Sequence, residues 1–314
     1  MGTPILPILR LQEAARSSIP LDAGAKTARP AVRLRRGPFR DRPEIWSLIP
    51  LDDAVPLAQQ KNLFAEAEDW LAAEMERCSA EPRIIRIDAN APFGPDMAQI
   101  IETVARLKIV AWVTTNQPLP ADVIEALAKH EDFVRVTVTL PTLEPAVSKA
   151  VEPEGALPAE RLALIASLVE MGITVDVALE PLLPGLTDSP NHLQALLQSL
   201  TGLGISQVTA GYLVLHDREA DRLQAALQPP EAAEVVLTSY ADGVVLRDGG
   251  ATAHYVPKAR RQRGYAALIA LGAALGIEVR VSALSNPDFR PARDEVPHHV
   301  RSLQQSFRER ALGA

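Results

Sequence analysis

From residue 44 to residue 215 the apolar residues switch between two periods, and this rhythm restricts the fold more than any other feature of the chain. Val134, Val136 and Val138 alternate with Arg135, Thr137 and Thr139, the period-two pattern of a strand. Over 158–171 the spacing becomes helical, with Leu162, Ile165, Leu168 and Val169 on one face, and Gly172 supplies the stop. Residues 173–179 then read as a second strand. The same alternation places strands at 44–51, 83–88, 109–114 and 207–215, and helices at 57–77, 96–107, 121–129 and 189–203. Six strand–helix units with these spacings suit parallel crossovers. They close as an open doubly wound sheet or as a partial (β/α) barrel, and periodicity is compatible with both. In either case the loops at strand C-termini carry the site.

The flanks differ. Residues 1–43 are irregular and rich in proline, an arm bearing Arg33, Arg35, Arg36, Arg40 and Arg42. After residue 216 the chain reads as a small C-terminal α/β extension, with a helix at 259–275, an added strand at 277–281 and a last helix at 296–310. The expected limits are therefore 1–43, 44–216 and 217–314.

A net charge of −7 over 314 residues makes the chain a poor general binder of nucleic acid while permitting local basic patches. The single cysteine, Cys78, excludes an intrachain disulfide and any multi-cysteine metal or cluster site built from this chain alone. The opening residues lack a secretory pattern. The longest apolar run, 265–279, is shorter than the roughly 20 residues of a membrane span. A cytoplasmic location is expected.

No G-x-x-x-x-G-K-[ST], G-x-S-x-G or H-E-x-x-H pattern occurs. The one G-x-G, at Gly202 and Gly204, falls at a helix end, where glycine acts as a cap. Asp52, Asp53, Asp88, Glu180, Asp188 and His216 fall at strand ends, where paired carboxylates bind a divalent metal or act as acid and base.

A further set of residues comes in a fixed order. It comprises IDANAPFGPD at 87–96, AWVTTNQPLP at 111–120, Thr139, Glu152 with Pro153, Arg161 with Leu162, Gly172 with Ile173, and P-x-x-P-G-L-T-D at 181–188. This order, spanning 83–215, resembles the core of radical SAM enzymes of the spore photoproduct lyase-like branch. The resemblance implies an α/β fold of a definite kind, a partial TIM-type (β/α)6 barrel, with S-adenosylmethionine lying across the strand C-termini. It marks Thr115, Asn116, Thr139, Arg161, Pro184 and Gly185 as cofactor contacts. The chemistry is consistent: Pro184 and Gly185 let backbone approach a ligand, the threonines offer hydroxyls, and Arg161 can pair a carboxylate.

Two positions depart from the family. Where it carries C-x-x-x-C-x-x-C, this chain has PLDDAVP at 50–56, so no [4Fe–4S] cluster is expected. Asn116 stands where the branch commonly has a lysine that pairs the SAM carboxylate. The resulting reading is a degenerate radical SAM protein, a non-catalytic pseudoenzyme that binds a ligand or serves as scaffold to a protein partner, such as an active relative. Alternatives are a cluster-independent enzyme at the barrel mouth, and nucleic-acid binding through Arg33, Arg35, Arg36, Arg260, Arg261 and Arg263.

Overall fold

The structure, a computed structural model, describes residues 32–36, 45–50, 71, 75, 82–91, 97–216, 219–248, 251–283 and 285–289. Its main sheet has eight strands in the order β1-β2-β3-β4-β5-β6-β7-β11. They are β1 (Val32–Arg36), β2 (Ile45–Pro50), β3 (Ile84–Asp88), β4 (Val110–Thr115), β5 (Val134–Thr139), β6 (Val175–Leu182), β7 (Gln207–Tyr212) and β11 (Glu278–Val281). From β2 onward every neighbouring pair is parallel, and β1 alone runs antiparallel, against β2. The six parallel strands expected from the periodicity are thus all present, in chain order across the sheet. The strand expected at 277–281 extends the series beside β7.

Part of the arm read as irregular is regular after all. Val32–Arg36 pairs residue for residue with β2, Leu34 opposite Leu48. Arg33 and Arg35 alternate with Val32 and Leu34, and Arg36, which follows Arg35 directly, breaks the period-two signal.

Eight helices connect the described strands: α1 (Met97–Arg106), α2 (Ala121–Lys129), α3 (Pro145–Val151), α4 (Pro158–Glu170), α5 (Pro190–Gly202), α6 (Glu219–Ala226), α7 (Pro230–Thr238) and α8 (Lys258–Ala274). Each contributes to one continuous apolar core, with Ile101, Leu127, Leu168 and Leu197 packed against Ile87, Val113, Val136 and Val177 of the sheet. That single core covers one sheet face. The start of α4 shows how the local sequence sets an element's limits. Pro158 occupies the first turn, and Glu160 Oε2 reaches back to accept the Leu157 amide at 2.7 Å.

A three-stranded antiparallel sheet, β8 (Leu215–His216), β10 (Ala251–Tyr255) and β9 (Val244–Asp248) in that order, sits beside the main one. It takes the end of the segment expected to form one strand over 207–215. After Tyr212 the chain leaves the parallel sheet, and Leu215 and His216 pair with β10 instead. The helix expected at 57–77 lies mostly outside the described residues; Leu71 and Met75, which are helical, pack against the core. Residues 50–56, apart from the backbone of Pro50, and the helix expected at 296–310 also lie outside them, as does Cys78. Among the described residues no helix is long and apolar enough to cross a membrane.

Candidate ligand site at the strand ends and inner sheet face

At the C-terminal ends of β3, β4 and β5 one hydrogen-bond network gathers four of the six residues marked in the sequence. Thr115, buried, uses its hydroxyl both to donate to the Gln117 carbonyl at 2.8 Å and to accept the Gln117 amide at 2.9 Å. This closes the turn that presents Asn116. Asn116 Nδ2 donates to Glu152 Oε1 at 2.9 Å, its backbone N donates to Asn90 Oδ1 at 3.3 Å, and its carbonyl accepts Ala156 N at 2.9 Å. Arg161 lies behind them, 1% exposed. Its Nε donates to the Ala156 carbonyl at 2.9 Å, and Nη1 donates to the Thr139 carbonyl at 2.8 Å and to Glu152 Oε2 at 2.5 Å. Arg161 therefore pairs a carboxylate, as its position suggested, and the carboxylate is the chain's own Glu152. Thr139 joins through its backbone oxygen.

Glu152 is the residue that the sequence reading left out of the site. It is the hinge of the network, tied to Asn116 on one oxygen and to Arg161 on the other. The signal was its place in the ordered motif series, beside Pro153.

Pro184 and Gly185 belong to a different arrangement and share none of these bonds. Their loop folds on itself: Gly185 N donates to Asp188 Oδ1 at 2.6 Å, and Leu183 N donates to the Thr187 hydroxyl at 2.8 Å. Tyr212 Oη donates to Asp188 Oδ2 at 2.9 Å, which locks the loop to the end of β7. Gly185 has φ +78°, and a Cβ there would come within 2.6 Å of Val235 on α7. The glycine thus serves a left-handed turn and a close approach to a helix.

The sheet face opposite the helical core is polar. Strand register assigns it directly, because residues paired across parallel strands share a face. One row runs Arg35–Ser47–Arg86–Trp112–Arg135 through β1 to β5. On β6, β7 and β11 the same face carries Asp176, Glu180, Gln207, Glu278 and Arg280, alternating with core residues such as Val177, Leu179 and Val208. Below these polar groups Ile45, Ile84 and Val110 form a small apolar cluster against Trp112, which seals the strand N-terminal end.

Partners along this face are specific. Trp112 Nε1 donates to the Thr137 hydroxyl at 2.8 Å, and the Arg86 guanidinium lies 5.9 Å from the Trp112 ring centroid. Arg135 Nε sits 3.1 Å from Asp176 Oδ2, and Gln207 Nε2 donates to Asp176 Oδ1 at 2.7 Å. Burial raises the Asp176 carboxyl above its ordinary range and outweighs the opposing pull of Arg135. Arg280 donates twice to Glu278, at 3.1 Å each, while its Nη1 is buried without a partner.

Glu180 marks the mouth of the face. Ser282 and Ser285, on the loop after β11, hydrogen-bond its carboxyl, and burial nevertheless pushes it above the usual carboxylate range. Gly211 makes the room, since a Cβ there would meet Ser285 Oγ at 2.6 Å and Glu180 Cδ at 2.9 Å. The electrostatic influence of Arg86 reaches Glu180 from three strands away, a consequence of the sheet's curvature. Glu180 was among the strand-end candidates read from the sequence; Arg86, Trp112, Arg135, Asp176 and Arg280 were not, although polar groups at alternate positions of central parallel strands were the available clue.

The remaining candidates are dispersed. Asp88 Oδ1 accepts both nitrogens of Asn90, at 3.1 and 2.9 Å. Asp188 is committed to its own loop, and His216 is exposed on the second sheet. Asp52 and Asp53 lie outside the described residues. Among the described residues no group of three or more His, Cys, Asp or Glu is placed to hold a metal ion.

Of the arginines marked for nucleic acid, Arg261 is withdrawn from the surface. It is 0% exposed, donating to the Val256 carbonyl at 2.8 Å, Asn286 Oδ1 at 2.6 Å and Asp288 Oδ2 at 2.6 Å, with the Phe289 ring 4.7 Å away. Alternation along α8 leaves Arg263 exposed and Arg260 half-buried. Arg33 and Arg35 are exposed on β1; of Arg36 only the backbone is described.

No family model matches the chain. Among curated proteins, the uncharacterized ORF301 of Acidianus two-tailed virus is 25% identical over 127 residues, 40% of this chain and 42% of that protein. The uncharacterized protein Rv2578c of Mycobacterium tuberculosis is 38% identical over 84 residues, 27% of this chain and 25% of that protein. The chain thus spans less than half the length of these curated relatives. Among solved structures, a cysteine-to-alanine mutant of spore photoproduct lyase is similar with a TM-score of 0.55 and 12% identity, covering 69% of this chain and 67% of that one. The same lyase complexed with dinucleoside spore photoproduct gives 0.50 and 14%, over the same shares. The likeness is one of fold: the chain has the α/β architecture, with a mostly parallel eight-stranded sheet, of radical SAM enzymes such as spore photoproduct lyase.

Proposed function

We propose that this chain is a radical SAM-like barrel protein without iron–sulfur chemistry of its own, a pseudoenzyme that binds a ligand at the strand ends and inner face and serves as a partner or scaffold subunit. The observation that carries this is the donor set. One residue in 314 is cysteine, whereas a [4Fe–4S] cluster open at one iron needs three thiolates. The chain's residues do not fit the cluster, and no radical step is derived for it.

The strand-end network fits a ligand better than it fits a reaction. Arg161 spends its donors on Glu152, Thr139 and Ala156, so its role is to position Glu152. The Glu152 carboxylate and the Asn116 amide would hold S-adenosylmethionine through its ammonium group, beside Thr115, Thr139 and the turn at Pro184 and Gly185. When bound to a cluster that cofactor supplies radical chemistry; here the chain's own groups bind and orient. The cluster-independent enzyme reading loses support because each described carboxylate at the strand ends has its own separate partner.

Anaerobic reconstitution with iron and sulfide, read by absorbance and EPR, tests the proposal. The expected result is no stoichiometric cluster signal, and a stoichiometric [4Fe–4S] spectrum overturns it. Calorimetric titration with S-adenosylmethionine tests the ligand assignment, with binding weakened in Glu152→Gln.

A further inference from the structure

Charge is unevenly matched across the inner face, and the mismatch has a definite place. Arg135 is in contact with the Asp176 carboxyl, and Arg280 with that of Glu278 two residues away on its own strand. Arg86 has no hydrogen bond or salt bridge to another described residue. Arg86 is half-buried, and its guanidinium lies 5.9 Å from the Trp112 ring centroid, a contact that offers its donors no acceptor. The acid whose field it meets is Glu180, across the curved sheet, and burial drives that carboxyl toward its neutral form. A second set of donors points the same way: Arg280 Nη1 is buried without a partner on the same face. Arg35, exposed on the same register row, adds positive charge at the outer edge.

We infer that the inner face is an oxyanion site, with Arg86 as its anchor, for a small organic ligand carrying a carboxylate or a phosphate. Arg86 takes the oxyanion in a planar fork, which suits either group. The Trp112 ring, 5.9 Å from the guanidinium carbon, gives that cation an aromatic neighbour within the site. Glu180, whose carboxyl is hydrogen-bonded by Ser282 and Ser285, lines the same face and bounds the site on its far side. This deepens the proposal of a ligand-binding barrel and rests on that reading, yet it makes a separate claim about ligand class.

The test is titration of the full chain at low ionic strength with orthophosphate, pyrophosphate and succinate, followed by tryptophan fluorescence and calorimetry. The expected result is saturable binding of a phosphate probe or of succinate, the two arms separating the two sources of oxyanion. Arg86→Gln weakens that binding roughly tenfold or more, Arg86→Lys falls between, and Arg263→Gln, on the exposed face of α8, leaves it unchanged. Trp112→Phe removes the fluorescence response while calorimetric binding persists. Thermal melts confirm that the variants are folded; Arg86 is not part of the apolar core. Absence of saturable binding by all three probes overturns the inference, as does equal binding in a folded Arg86→Gln. Neither outcome bears on the pseudoenzyme reading, which stands or falls with iron–sulfide reconstitution.

Discussion

A methyl group added at Gly155 would run into Nη2 of Arg161, the atom of that guanidinium left without a hydrogen bond. Because Arg161 is buried and holds three acceptors, it has no room to yield. Gly155→Ala should therefore destabilise by about 2 kcal/mol, whereas Gly202→Ala, at a helical position with nothing within 4 Å, should stabilise by up to about 1 kcal/mol. Denaturant midpoints of the two variants measure the contrast. Glu180 gives a pH signature. Its folded value lies above the ordinary 4.5, so its contribution to stability is complete below that pH and is lost as pH rises through the raised value. Glu180→Gln should match the parent near about pH 4 and exceed it in stability near about pH 7, the difference being read from urea unfolding at both. At this scale the sequence revealed residue types better than their roles. Arg161 was recognisable as a carboxylate partner, but an internal partner such as Glu152 follows only from the turn that brings it back.

Elements were legible where one face alone is apolar. The helix at 121–129 and the strand at 134–139 coincide with their expected limits, and α4, α5 and α8 differ only at their ends. Besides β1, three features were missed for identifiable reasons. α3 is short and follows Pro145, and its few apolar positions look like loop composition. β6 continues past Leu179 through Pro181, because a register shift against β7 lets a proline sit in the strand. The run 207–215 keeps its hydrophobicity while changing sheets after Tyr212, and no periodicity reports a change of partner. The inner face was illegible for a further reason: its polar residues look solvent-facing in sequence, although Arg135 and Asp176 are buried. That pair predicts its own cost. Arg135→Gln leaves Asp176 without its ion partner and should cost about 3 kcal/mol, visible as a lower denaturant midpoint with unchanged m-value. Leu168→Ala, on the helical side of the sheet and fully buried, should cost about 3 kcal/mol through its cavity.

Across the whole molecule, one apolar core unites all eight described helices with the sheet, while the opposite face is left to polar groups. An apolar layer and a polar layer are thereby separated by the thickness of one sheet. The C-terminal portion belongs to both. β11 lengthens the sheet, and the loop after it brings Ser282 and Ser285 to Glu180. Arg261→Met should raise amide exchange across 282–289 and lower the melting temperature, because Asn286 and Asp288 lose the donor that holds them to α8. The clamp also sets a rule about chain length. The loop leaves the end of β11 and is fastened back to Arg261 on α8, the helix before that strand, so the stretch between Ala274 and Glu278 works as a spacer of fixed size. Gly276, in a left-handed turn at φ +75°, and Ile277, buried, leave that spacer no slack. One inserted residue there would slide β11 in register and carry both serines away from Glu180, whereas the exposed turn at 241–242 could be lengthened with little effect on that contact.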